Sequence, residues 1–155
     1  MRYLQRSARA VLSGLVVACS VFAFVTAASA EGSVSSLGMG MGARDARAFA
    51  QFESVIRQYN ASGERFRIDG HCQSACTMFL AIRNVCVTQN ATLLFHAGGS
   101  VRTGKINPDT TARMLAKYKP SLRKYVTDNH YMDTFEFHSI PGSVIISRFG
   151  YRACN

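Results

Sequence analysis

Four cysteines beyond residue 30 constrain this chain more than any other feature. Cys72, Cys76 and Cys86 lie close together, and Cys154 is the penultimate residue. In an oxidising compartment an even set of this kind forms a disulfide framework, and four cysteines admit three pairings. Spacing alone does not choose among them, although one bridge tying Cys154 back to the core is an attractive expectation. In a reducing compartment the same residues would read as thiols or metal ligands. The compartment therefore has to be read first.

Residues Met1–Ala30 have the form of a secretory signal peptide. Arg2, Arg6 and Arg9 make a positive start, Ala10 to Val25 is an apolar run, and Ala28-Ser29-Ala30 supplies small residues at the cleavage site. The run is broken by Ser13, Gly14, Cys19 and Ser20, and it is shorter than the ~20 residues needed to span a bilayer. The expected product is a periplasmic or secreted protein with no stable membrane span after cleavage. Removing the leader also removes Cys19 and three arginines, so the full-chain net charge of +9 falls to +6. The basic excess is thus less informative than it first looks, and the cysteines more so.

The remainder divides into a Gly/Ser-rich segment at 31–42, expected to be mobile at its start, and one domain over 43–155. Phe49, Phe52, Ile56 and Tyr59 recur at helical spacing and predict a helix from about Arg44 to Asn60. Arg65–Asp69 alternates as a short strand, Gly70 breaks it, and Ser74–Ile82 is apolar enough for a buried helix. Val85–Val87 and Thr92–Phe95 read as strands. Asn107-Pro108 is a helix start, with Asn as N-cap and Pro at the first position. That helix continues through Leu115, Tyr118, Leu122 and Tyr125 to about Asp128, divided at Pro120, and a last helix opens near Pro141-Gly142. Helices alternating with short strands predict an α/β class.

Chemistry concentrates in two places. In Gly70-His71-Cys72-Gln73-Ser74-Ala75-Cys76 a strand enters a turn and sets Ser74 at the start of a helix. Free N–H groups at a helix start stabilise developing negative charge. His96 closes the strand Thr92–Phe95, and a serine hydroxyl needs such a base to become a nucleophile near neutral pH. The plainer alternative is an ordinary N-cap serine and a strand-end histidine.

These residues carry a resemblance. The Gly70–Cys76 segment before an apolar helix resembles the Gly-x-x-x-Ser segment of the Clp protease proteolytic subunit. Val85–His96 is similar to that family's stretch ending in its catalytic histidine. Gly38-Met39-Gly40-Met41-Gly42 resembles its glycine loop, and Ser139–Tyr151 its closing helix. The Cys-x-Ser-Ala-Cys-Thr signature with a later Phe-His-Ala is similar, more closely, to a group of exported proteobacterial proteins of the Clp protease/crotonase superfamily. The resemblance covers about Gly38 to Tyr151 and is specific over Gly70–Ala97.

It implies a small β-α superhelical core, truncated at its N-terminal side because little chain precedes Gly38. It also implies an exported serine hydrolase acting on a peptide or acyl substrate, with Ser74 as nucleophile and His96 as general base. Backbone N–H groups at Gly40, Gly42 and Ala75 would form the oxyanion hole. The family's third member, an acid, has no counterpart after Glu136, so Asp133 or Glu136 would have to serve through a local shift. The family often forms rings, which admits a homo-oligomer. The competing expectation is a non-catalytic, disulfide-stabilised envelope protein of the same fold that binds a partner.

Other readings are weaker. His71, Cys72, Cys76, Cys86 and His96 lack a second Cys pair or a His-x3-5-His partner, so no metal or other cofactor is expected. Arg113, Lys117, Lys119, Arg123 and Lys124 share a helical region but come with no groove-entering or stacking motif, so no nucleic acid is expected as a partner. They read as a solvated helix face. His130 and His138 have no evident partner in the sequence and read as surface or satisfied histidines.

Overall fold

The computed structural model describes residues 31–155, and the leader read at Met1–Ala30 lies outside them. The segment expected to be mobile instead begins with a strand, β1 (Gly32–Ser33), and a single helical turn, α1 (Val34–Leu37). Ser33 caps that turn by accepting from the Ser36 N–H, while the Ser36 hydroxyl closes the reciprocal bond. Val34 is buried, and Ser35 donates through both its N–H and its hydroxyl to Asp69. Glycine and serine content suggested freedom that these pairings remove.

The helix α2 (Ala46–Ser62) follows the predicted stripe, with Asp45 as N-cap and Phe49, Phe52, Ile56 and Tyr59 buried. Its apolar face packs on the segment Ser74–Ala81. Phe79 sits between Phe52 and Phe66, with ring centroids 5.3 and 4.8 Å away. The buried helix expected over Ser74–Ile82 is a 3-10 helix over Ser74–Ala81. Ala75 through Leu80 are all buried, so neighbours on every side fix the tighter winding rather than propensity. The three rings Phe52, Phe66 and Phe79 contribute several kcal/mol, at about 1.5–3 kcal/mol per fully buried large side chain.

Two small sheets run end to end. One has β2 (Phe66–Ile68) between β1 and β4 (Val85–Val87), all parallel. The other has β5 (Thr92–Phe95) between β3 (His71–Gln73) and β8 (His138–Pro141), with β3 parallel and β8 antiparallel to it. The Thr88 N–H to Ile68 C=O and Thr92 N–H to Gly70 C=O bonds bridge the gap between the sheets. Gly70, at φ +58°, therefore interrupts the strand for one turn and does not end it. That hid β3 from sequence reading. β8 was hidden by its prolyl end and by its edge position, where pairing with β5 supplies what pattern does not.

A third pair, β6 (Gly99–Ser100) and β7 (Lys105–Ile106), forms a short antiparallel arm. Asn107 caps α3 (Pro108–Leu115) as expected, and α4 (Pro120–Asp128) starts at Pro120. α5 (Gly142–Phe149) closes the chain against α4. The chain is thus mixed α/β, as predicted. The basic face is only partly free: Arg113 and Lys117 share Glu53, and Lys124 pairs with Asp128. Among the described residues no helix is long and apolar enough to cross a membrane.

All four cysteines pair, Cys72 with Cys76 and Cys86 with Cys154. The second bridge ties the tail to β4, beside a parallel bridge between Val87 and Ala153. Loop closure in the unfolded chain scales with the logarithm of loop length. The 68-residue separation of Cys86 and Cys154 is therefore worth about 4 kcal/mol, and the four-residue loop about 2 kcal/mol. Urea unfolding of Cys86→Ser/Cys154→Ser against Cys72→Ser/Cys76→Ser should show the former losing about twice the stability. Equal losses would mean that native packing, not chain closure, sets the value of these bridges.

Candidate active site

Ser74 occupies the junction between β3 and the 3-10 helix, at φ +56°. A non-glycine residue in this left-handed region carries a cost of order 1–3 kcal/mol and persists only where its surroundings hold it. Three restraints do so here. The Cys72–Cys76 disulfide spans the turn. The Thr77 hydroxyl donates to the Ser74 carbonyl at 2.7 Å, and the Tyr118 hydroxyl lies 2.6 Å from the Thr77 oxygen. With its own proton committed, Thr77 accepts from Tyr118. Burial pushes the Tyr118 phenol far above its ordinary pKa, which keeps it protonated and able to donate.

The third restraint is the glycine loop. Gly40 accepts from the Gln73 N–H at 2.9 Å, laying the loop along β3. Gly42 then meets the nucleophile candidate directly: a Cβ at position 42 would stand 2.7 Å from the Ser74 Oγ and closer still to its Cβ. No side chain fits there. Gly42 and Ala75 line the cavity that holds Ser74. Gly40 does not, because its place is against the His71 carbonyl. Of the three residues expected at an oxyanion hole, Gly42 and Ala75 are therefore at the cavity and Gly40 is not.

The parallel register of β3 and β5 brings the histidine to the same end. Gln73 is opposite Leu94, so Ser74 and His96 both emerge where the two strands finish. Both line one cavity of about 530 Å³. No hydrogen bond joins them, and apo sites often hold such pairs apart until substrate arrives. His96 is buried, its Nδ1 has no hydrogen-bond partner, and its ring sits edge-on to Phe137 at 4.7 Å and near Phe135 at 6.0 Å. Burial lowers its pKa below 6.5. The Ala97 backbone partly opposes this without a hydrogen bond of normal geometry.

Neither acid considered for the third position reaches His96. Asp133 pairs with His130 at 2.7 Å on the surface, and Glu136 is exposed with no contact to the ring. The acid of a triad holds its histidine by charge; here aromatic edges hold it by packing. His130 and His138, for which the sequence offered no evident partner, are both satisfied: His130 pairs with Asp133 and His138 stacks on Tyr131 at 4.3 Å. Phe137, Met41, Arg44 and Arg102 also line the cavity. They lie in loops without periodicity, so the sequence carried no signal for them. The cysteines are bonded to one another and are not available as metal ligands.

No protein-family model matches the chain, and comparison with curated proteins and with solved structures gives no match either.

Because Gly42 abuts Ser74, Gly42→Ala should displace the hydroxyl and lower reactivity with a fluorophosphonate by about 100-fold, the scale of a 1 Å misplacement. Far-ultraviolet circular dichroism should stay unchanged. Full reactivity in Gly42→Ala would show that the loop does not set the Ser74 position. Thr77→Val should cost about 1–3 kcal/mol in urea unfolding by stranding the buried Tyr118 hydroxyl. The companion Tyr118→Phe should cost less, because it removes the buried polar group instead of orphaning it.

Proposed function

We propose that this chain is an exported serine hydrolase of the Clp protease/crotonase kind, acting on a peptide or other acyl substrate. The observation that carries this reading is Ser74, held at positive φ against Gly42, in one cavity with His96. Strain maintained at a single polar residue by three separate restraints is more than an N-cap needs. The two disulfides support an oxidising compartment, periplasmic or extracellular.

In this reading the Ser74 Oγ attacks the carbonyl carbon while its proton passes to the His96 Nε2, the ring nitrogen not buried without a partner. The negative oxygen of the tetrahedral intermediate faces the N–H groups of Gly42 and Ala75. Collapse breaks the bond to the leaving group, which takes the proton from His96. Water then adds to the acyl-serine with His96 as base, and loss of the Ser74 oxygen releases the acid. Without an acid on Nδ1, the imidazolium formed in each step is stabilised only weakly. Turnover is then slow, since a triad lacking its acid function loses up to about 10⁴ in rate.

That same orphaned Nδ1 favours the second reading, a non-catalytic relative that binds a partner through this cavity. Fluorophosphonate labelling separates the two. The first reading expects one adduct, at Ser74, absent in Ser74→Ala and slowed in His96→Ala; an unlabelled Ser74 in the oxidised protein sinks it.

The labelling rate should also report the state of His96. The base works only when neutral, and burial lowers its pKa. The rate should therefore rise with pH through a midpoint below 6.5 and be flat above it. A midpoint above 6.5 would mean that an unseen acid or solvent contact stabilises the charged ring.

A further inference from the structure

Two features of the Ser74–His96 cavity are unused by the chemistry above. The first is its charge. Besides His96, the titratable groups lining it are Arg44 and Arg102, and no carboxylate lines it. Among the described residues neither arginine has an acidic ion-pair partner. A second cavity of about 690 Å³ shares both arginines and continues the cleft along the β6–β7 arm and the start of α3. It adds Lys105 and Arg113 against Asp45 and Asp109. Arg113 is committed to Glu53, and the Asp45 carboxylate accepts from the Ala48 N–H as helix cap. With Arg113 paired to Glu53, the second cavity holds Arg44, Arg102 and Lys105 against Asp45 and Asp109, an excess of one positive charge. Both carboxylates lie outside the Ser74–His96 cavity, where Arg44 and Arg102 face no acid.

The second feature is apolar. Among the described residues five large hydrophobic side chains are exposed, and four of them, Met41, Val101, Ile106 and Phe137, line these two cavities. Apolar side chains collected around one cleft mark a surface that is covered in use. Their sources are independent: the glycine loop, the arm and the segment before β8.

Building on the hydrolase reading, we propose that the substrate is an anionic acyl compound of peptide type. Its carboxylate lies between Arg44 and Arg102, and a neighbouring apolar group rests on Met41, Val101 and Phe137. Guanidinium groups match carboxylates in shape and charge, and the cavity volume suits one or two side chains. The carboxylate comes from an acidic side chain or from a free C-terminus, chemistry that the two arginines would not distinguish.

Binding decides this without turnover. Fluorescent hexapeptides containing one Phe flanked by Glu, Gln or Lys, each with a free or amidated C-terminus, are titrated into oxidised Ser74→Ala protein and followed by anisotropy. The Glu peptides, or the free-terminus peptides, should bind about tenfold tighter than their neutral counterparts, with the advantage shrinking as salt rises. In Arg44→Gln/Arg102→Gln the ratio of acidic to neutral affinity should fall to about one. Weakening on amidation assigns the terminal carboxylate, and persistence assigns the side chain. Equal binding of the whole series, preference for Lys, or no binding at all overturns the proposal. Labelling of Ser74 in the wild-type protein fails or succeeds separately. Acidic peptides bound by a protein that never labels would keep the anion site and remove the hydrolase, and the opposite pattern would do the reverse.

Discussion

Parallel pairing of β3 with β5 is the constraint on which the site depends. Three registered residue pairs, His71 with Thr92 through Gln73 with Leu94, deliver two distant side chains to one edge. Antiparallel pairing would have sent Ser74 and His96 to opposite ends of the sheet. Short parallel ladders are weak by themselves, and here β8 adds the other edge of β5 while β2 and β4 continue the pair end to end. The core of Phe52, Phe66 and Phe79 holds the 3-10 helix beneath it, so the turn at Ser74 rests on a filled interior as well as on its hydrogen bonds.

The two disulfides divide labour. Cys86–Cys154 closes a long loop and fixes the tail to β4, which is a contribution to global stability. Cys72–Cys76 closes a four-residue loop, a smaller entropic contribution, and brackets Ser74, one of two non-glycine residues at positive φ among the described residues. Both of its cysteines are buried, so the bracket belongs to the interior of the fold. A bridge of this kind acts mainly on geometry.

His96 lives in a different physical setting from a triad histidine. Its surroundings are aromatic edges and a buried, unpaired Nδ1. Low polarity favours the neutral ring, which is ready to accept a proton but poorly supported once it has done so. Base character and weak stabilisation of the charged form come from the same burial. That single fact underlies both proposed readings, slow hydrolysis and simple binding.

Much of the chain could be read directly. The α2 stripe, the Asn107-Pro108 start, the strands Val85–Val87 and Thr92–Phe95 and the split at Pro120 are local signals, and all of them appear. Ser74 and His96 were also legible as residue types at element ends. What the sequence could not carry was pairing. β3 and β8 exist because of β5, the disulfide partners follow from which strands lie side by side, and the third-acid expectation fails because Asp133 turns to His130. The arginines and apolar residues of the cleft come from loops with no period to announce them. Periodicity, capping and turn chemistry act over a few residues, so the sequence alone determined the long helices, the strands Val85–Val87 and Thr92–Phe95 and the candidate pair. Register, disulfide partnership and the company His96 keeps depend on contacts between distant segments, and only the tertiary structure decided those.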